Sequence, residues 1–280
     1  MGLKIVLRYV LGMSGIGLLF SNFIACGAKM YKVSLDDDVS AQNRTNAAPI
    51  PAEPGIHAPD GWRDLPIVFR TDPNITEAQR VGLALAMQTW ETAVGRKLFD
   101  FQGQHTKVTG DTFPDLYSSL KDSVNGHYLD KNWDKTGKSK FVLATTIWDN
   151  DPADPAAIKT ADIRYNDSKY LFGDSLLLAA VDAKEVVDMQ SLALHELGHL
   201  LGLAHMEEAV DAYSIMNPAL FIGEGLTSRM VSEGDIRRIQ KIYGCLGASC
   251  DVTKVLATIE KQQPKLAAGA TEKPAPTPSH

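Results

Sequence analysis

Residues 195–205 read HELGHLLGLAH. His195 and His199 are four apart, about one helical turn, so on a helix both imidazoles project from one face toward a shared point. Zinc takes imidazole nitrogen readily and prefers tetrahedral ligands. A straight helix delivers no third ligand at the required angle. Gly202 offers a stop, because glycine tolerates the left-handed conformation. The chain can then turn and bring His205 back toward the same point. Three ligands leave a fourth position open for water. Glu196 follows the first histidine and lies beside the ligand face. Its carboxylate is expected to take a proton from that water and pass it to a leaving amine. The alternative is an apolar helix that happens to carry histidines. Buried without partners they would carry a heavy desolvation cost, which favours the metal site.

The neighbouring elements can be read from periodicity. LPIVFR, 65–70, reads as a strand. Thr76 and Gln79 form a capping box, after which Leu83, Met87, Trp90 and Val94 fall on one helical face as core residues. KLFDF, 97–101, and VNGHYL, 124–129, read as strands. A short helix near 114–123 is expected between them. FVLATTIW, 141–148, is β-branched and apolar, a strand, with ADIRYN, 161–166, as its partner. LLLAAV, 176–181, is ambiguous between helix and strand. Asp188 caps the helix that carries the histidines, about Met189 to Leu201. Ser232 and Asp235 open another, which Gly244 ends.

The chain's ends are different. Lys4 and Arg8 precede an apolar run from Tyr9 to Ala25, the layout of a secretory signal over residues 1–25. Cys26 follows in FIACGA, which resembles the lipobox of bacterial lipoproteins. That resemblance implies a lipidated Cys26 and an exported protein, anchored on the periplasmic side or at the cell surface. An uncleaved anchor and plain secretion are the alternatives. Residues 26–61, with PIPAEPG, read as a flexible tether, and 251–280 as a short helix with a disordered tail. That leaves 62–250 for a single catalytic domain. Cys245 and Cys250 are an even pair that can close a small disulfide loop in an oxidising compartment. The net charge of -6 argues against a nucleic-acid partner.

HExxHxxGxxH followed by a methionine turn is the mark of the metzincin zinc peptidases. SIMNP, with Met216, stands eleven residues after His205 and looks like that turn. Within the metzincins the chain most resembles the matrixins. LPIVFR with the Trp90 helix, LALHELGHLLGLAH and VSEGDIRRIQKIYG resemble their first strand and helix, active-site helix and closing helix. The likeness covers roughly Trp62 to Gly244.

The resemblance implies an α+β fold of α/β/α type. It has a twisted, mostly parallel sheet with an antiparallel edge strand, an active-site helix and a C-terminal helix. It implies one catalytic zinc on His195, His199 and His205, Glu196 as general base, and Met216 as an apolar base beneath the metal. It also implies an edge strand that pairs with an extended peptide. Leu143, Ala144, Thr145 and Thr146 are the candidates for that edge, and a pocket near Pro218 to Phe221 for one substrate side chain. No prodomain cysteine switch is expected. Nothing between 141 and 181 matches the family's second zinc, and calcium is possible without an assignable site. His57, His105, His127 and His280 are expected at the surface; a second metal site from His105 and His127 is weighed and set aside. The expected protein is a monomeric zinc endopeptidase acting on protein or peptide substrates and tethered to a membrane through its N-terminal lipid. A non-catalytic binding lipoprotein on the same fold and a zinc hydrolase with a non-protein substrate are the alternatives.

Overall fold

The helix over Glu77–Val94 (α1) starts at Thr76, whose hydroxyl accepts from the Gln79 amide while the Gln79 side chain reaches back to Thr76. It stops at Gly95, in the left-handed region at φ 73°. Between these caps Leu83, Met87, Trp90 and Val94 form the buried face. That face packs on the helix over Met189–Leu200 (α2), and the Trp90 indole N–H donates to the Leu194 carbonyl at 3.0 Å. Every residue of α2 is buried. The computed structural model describes residues 31–34, 54–105, 124–180 and 184–263.

In chain order the strands are β1 (Tyr31–Ser34), β2 (Gly61–Trp62), β3 (Ile67–Thr71), β4 (Phe99–Gln104), β5 (Asn125–Asp130), β6 (Ala144–Asp151), β7 (Asp154–Asn166), β8 (Tyr170–Gly173), β9 (Glu185–Asp188) and β10 (Ala219–Ile222). The main sheet runs β2-β7-β5-β3-β4 with parallel neighbours. β6 is antiparallel to β7, with Ala144 opposite Tyr165 and Thr146 opposite Ile163. Among the described residues β6 pairs with β7 alone, so it is an edge. This is the mostly parallel sheet with an antiparallel edge strand expected of the fold. β8 and β9 form a parallel pair leading into α2, and β1 pairs antiparallel with β10. The last helices are α3 (Glu233–Tyr243) and α4 (Val252–Gln262).

The packed body is wider than 62–250. Residues 54–61, read as tether, lie against the core with Ile56 and Ala58 buried. The reason is the C-terminal end of α2, where carbonyls lose their helical partners. His57 Nε2 donates to the His199 carbonyl at 2.8 Å, and the His57 and Ala58 amides donate to Gly202. The Trp62 indole N–H donates to Leu200 at 2.7 Å, and the Tyr243 hydroxyl to Leu201 at 2.9 Å. At the other end α4, read with the tail, buries Val255 and Ile259 in the same core.

Residues 176–180 form no helix or strand, and Leu177 is exposed. Cys245 and Cys250 are joined by a disulfide of 2.05 Å. Cys26, the signal-like run, the expected helix at 114–123 and His280 lie outside the described residues. Among the described residues no helix is long and apolar enough to cross a membrane.

Candidate active site

Asp188, the N-cap of α2, accepts from the Ser191 amide at 3.0 Å and is paired with the largely buried Arg229. The opposite end stops because Gly202 takes φ 104°, and a Cβ there would stand 2.6 Å from the Ala58 carbonyl oxygen. The turn brings His205 over the helix. Its ring centroid is 4.7 Å from that of His199 and 5.3 Å from that of His195. One ligand nitrogen from each of the three histidines lies within 4.8 Å of the others.

The tautomers follow from the carbonyls. His195 Nδ1 donates to Ile215 O at 2.7 Å, and His199 Nδ1 donates to Leu203 O at 2.8 Å. A carbonyl only accepts, so both Nδ1 atoms carry the proton. Both Nε2 atoms therefore present lone pairs, and they face each other across 3.0 Å. Two lone pairs at that separation repel unless a cation lies between them. Burial pushes His195 down to about 3, helped by the neighbouring His205 and opposed by the bond to Ile215. Burial, His195, His205 and His57 push His199 well below the ordinary imidazole value. The rings are thus neutral near pH 7, the form that binds a metal. This donor set fits zinc.

Met216 is fully buried beneath α2. A Cβ on Gly198 would come within 2.3 Å of the Met216 sulfur. Glycine at this position of HELGH is what lets the turn sit against the helix between the two histidines. The turn is held from α3: Asp235 accepts from the Ser214 hydroxyl at 2.6 Å, the Ile215 amide at 2.8 Å and the Ser232 amide at 2.9 Å. Asp235 therefore fixes Ile215, whose carbonyl orients His195. Sequence reading saw Asp235 only as a capping residue.

Glu196 is buried, and its Oε2 accepts from the Thr146 hydroxyl at 2.6 Å. Thr146, Thr145 and Ala144 lie on β6 and Leu143 immediately before it, all buried. A cavity of about 900 Å³ opens beside His205, lined also by Asn217, Pro218, Ala219, Leu220 and Phe221 among others. Tyr213, at its lining, is 89% exposed.

Two histidines expected at the surface are elsewhere. His127 is buried in β5, its Nδ1 shares a hydrogen bond with the Tyr165 hydroxyl at 3.0 Å, and it is pushed down to about 3 by burial. Its alternating strand has both faces covered, so its register does not mark an exposed side. His57 is half-buried and stacks on Trp148 at 4.0 Å between ring centroids. Among the described residues, His195, His199 and His205 are the one cluster of three or more possible metal ligands.

A family model described as matrixin matches residues 72–244, more than half of the chain. The chain belongs to the matrixin family. Matrixins are zinc metalloendopeptidases, and the histidine cluster lies within the matched stretch. The chain is also similar to metalloendoproteinase 5-MMP of Arabidopsis thaliana, 46% identical over 59 residues. That alignment covers 21% of this chain and 15% of the plant protein. The matched stretch takes in α2, the turn at Met216 and α3. The bonds from His57 and Thr146 into the site left no signal in spacing, because each partner comes from a segment far off in sequence.

Proposed function

We propose that the protein is a zinc-dependent endopeptidase that hydrolyses peptide bonds in protein substrates. The observation that carries the reading is the pair of His195 and His199 Nε2 lone pairs 3.0 Å apart, with His205 beside them and the Glu196 carboxylate on the same helix. His195, His199 and His205 would hold the ion. Bound there, zinc supplies Lewis acidity toward a carbonyl oxygen and toward water.

The chain's own residues do the rest. Ile215 and Leu203 carbonyls hold two imidazoles in the ligating tautomer. Glu196 accepts the proton of the attacking water and delivers it to the departing amine. The outer edge of β6, at Leu143 to Thr146, offers main-chain groups to an extended substrate. The cavity along Pro218 to Phe221 receives one substrate side chain. Cys26 carries a lipid after export and tethers a monomeric catalytic body to the membrane.

The test is cleavage of an unfolded protein by the full chain in detergent. Zinc-loaded wild type is expected to cleave, a chelator to stop it and added zinc to restore it. Glu196→Gln is expected to lose about 100- to 10,000-fold in rate, the usual range for a positioned acid–base group. A zinc-loaded wild type that cuts no protein or peptide, or a Glu196→Gln variant with full activity, overturns the reading.

A further inference from the structure

Glu196 has to keep its carboxylate in one place to move a proton, yet its side chain has several rotatable bonds and sits in a buried site. A donor from another element meets it there. The Thr146 hydroxyl is 2.6 Å from Glu196 Oε2 and 3.1 Å from the Glu196 main-chain oxygen. A hydroxyl has one proton to give. The contact to the carboxyl oxygen is the shorter of the two, so the proton lies toward it.

Thr146 is itself fixed. It is buried, its β-branched side chain is stiff at χ1, and its backbone is registered opposite Ile163. Tyr165 is close enough for the Glu196 charge to help burial raise its phenol. Its hydroxyl, however, is hydrogen-bonded to His127 Nδ1 at 3.0 Å.

We propose that Thr146 is a positioning residue for Glu196, its hydroxyl holding the carboxylate in the pose from which it moves the proton. The proposal rests on the peptidase reading. It ties two tasks to one strand: the edge that seats the substrate backbone also aims the acid–base group. Substrate seated on β6 is then in register with the carboxylate by construction.

The experiment compares wild type, Thr146→Val, Thr146→Ser and Glu196→Gln as full chains loaded with zinc. Zinc content, unfolding midpoint, kcat and KM on a fluorogenic peptide are measured, and crystal structures of wild type and Thr146→Val are solved. The valine is nearly isosteric, so that variant is expected to fold and to hold one zinc. Its kcat is expected to fall about ten- to a hundred-fold with KM within about two-fold, the signature of a misplaced reacting group. Thr146→Ser, which keeps the hydroxyl, is expected to recover most of kcat. In the crystal the Glu196 carboxylate is expected to leave its wild-type pose when the hydroxyl is absent. Wild-type kcat in Thr146→Val, an unchanged Glu196 pose, or a rise in KM alone would each overturn the proposal. Loss of activity in the serine variant equal to that in the valine would also overturn it, pointing to packing. A zinc-loaded wild type that cleaves nothing brings down the peptidase reading instead, and the two crystal structures still decide whether Thr146 positions Glu196.

Discussion

Gly198 stands between His195 and His199, with the Met216 sulfur where a Cβ would have to go. Alanine is the better helix former by about 1 kcal/mol, so helix propensity alone makes Gly198→Ala stabilising. The structure reverses the sign. Met216 is fully buried, and Trp90 lies 3.3 Å from the same point, so the added methyl overpacks the floor of the site. The expected result is a net loss of about 1–3 kcal/mol in denaturant unfolding, with weaker zinc retention against a chelator. A more stable variant would show that Met216 can move aside. At this scale the four candidate residues were legible, because His195 and His199 need only helical spacing to share a face, Glu196 follows beside that face, and Gly202 marks where the chain turns to deliver His205. The reason for Gly198 was not legible, because its neighbour Met216 comes from a loop beyond the helix.

The same limit applies between elements. The capping box Ser232–Asp235 was readable because its partners are three residues apart. The second duty of Asp235, accepting from Ser214 and Ile215, crosses about twenty residues and required the packed structure. Asp235 is buried and also paired with Arg238. Asp235→Asn removes the charge opposite that arginine and leaves the methionine turn without its full set of acceptors. The variant is expected to lose about 3 kcal/mol in stability, the range for breaking a buried pair. Zinc affinity is expected to fall about ten-fold or more, as for a partner that orients a ligand indirectly. Equilibrium unfolding and chelator competition measure the two effects. Lost stability with wild-type zinc affinity would confine Asp235 to its capping role. Residues 54–61 failed to announce themselves for a related reason: a polar, proline-containing stretch has no periodicity, and its packing is dictated by the open carbonyls at the end of α2.

Across the whole molecule, His127 links the sheet to pH. It is neutral in the fold, pushed from the ordinary 6.5 down to about 3 by burial. The unfolded chain therefore binds the extra proton first, and stability is lost as pH falls from about 6.5 toward 3. In chelator-treated protein the fall is expected to be shallower in His127→Gln, by up to about 1.4 kcal/mol per pH unit for one group. Parallel slopes for the two proteins would remove His127 from the account. The chain's own order of residues determined the ligand spacing, the caps, the main strands and the matrixin class, because each rests on neighbours a few residues apart or on a motif of fixed length. Only the tertiary structure decided which strand edge lies open, which carbonyls fix the histidine tautomers, that residues 54–61 close the end of α2, and that Thr146 meets Glu196. One of those contacts joins residues 142 positions apart, and no local periodicity encodes such a meeting.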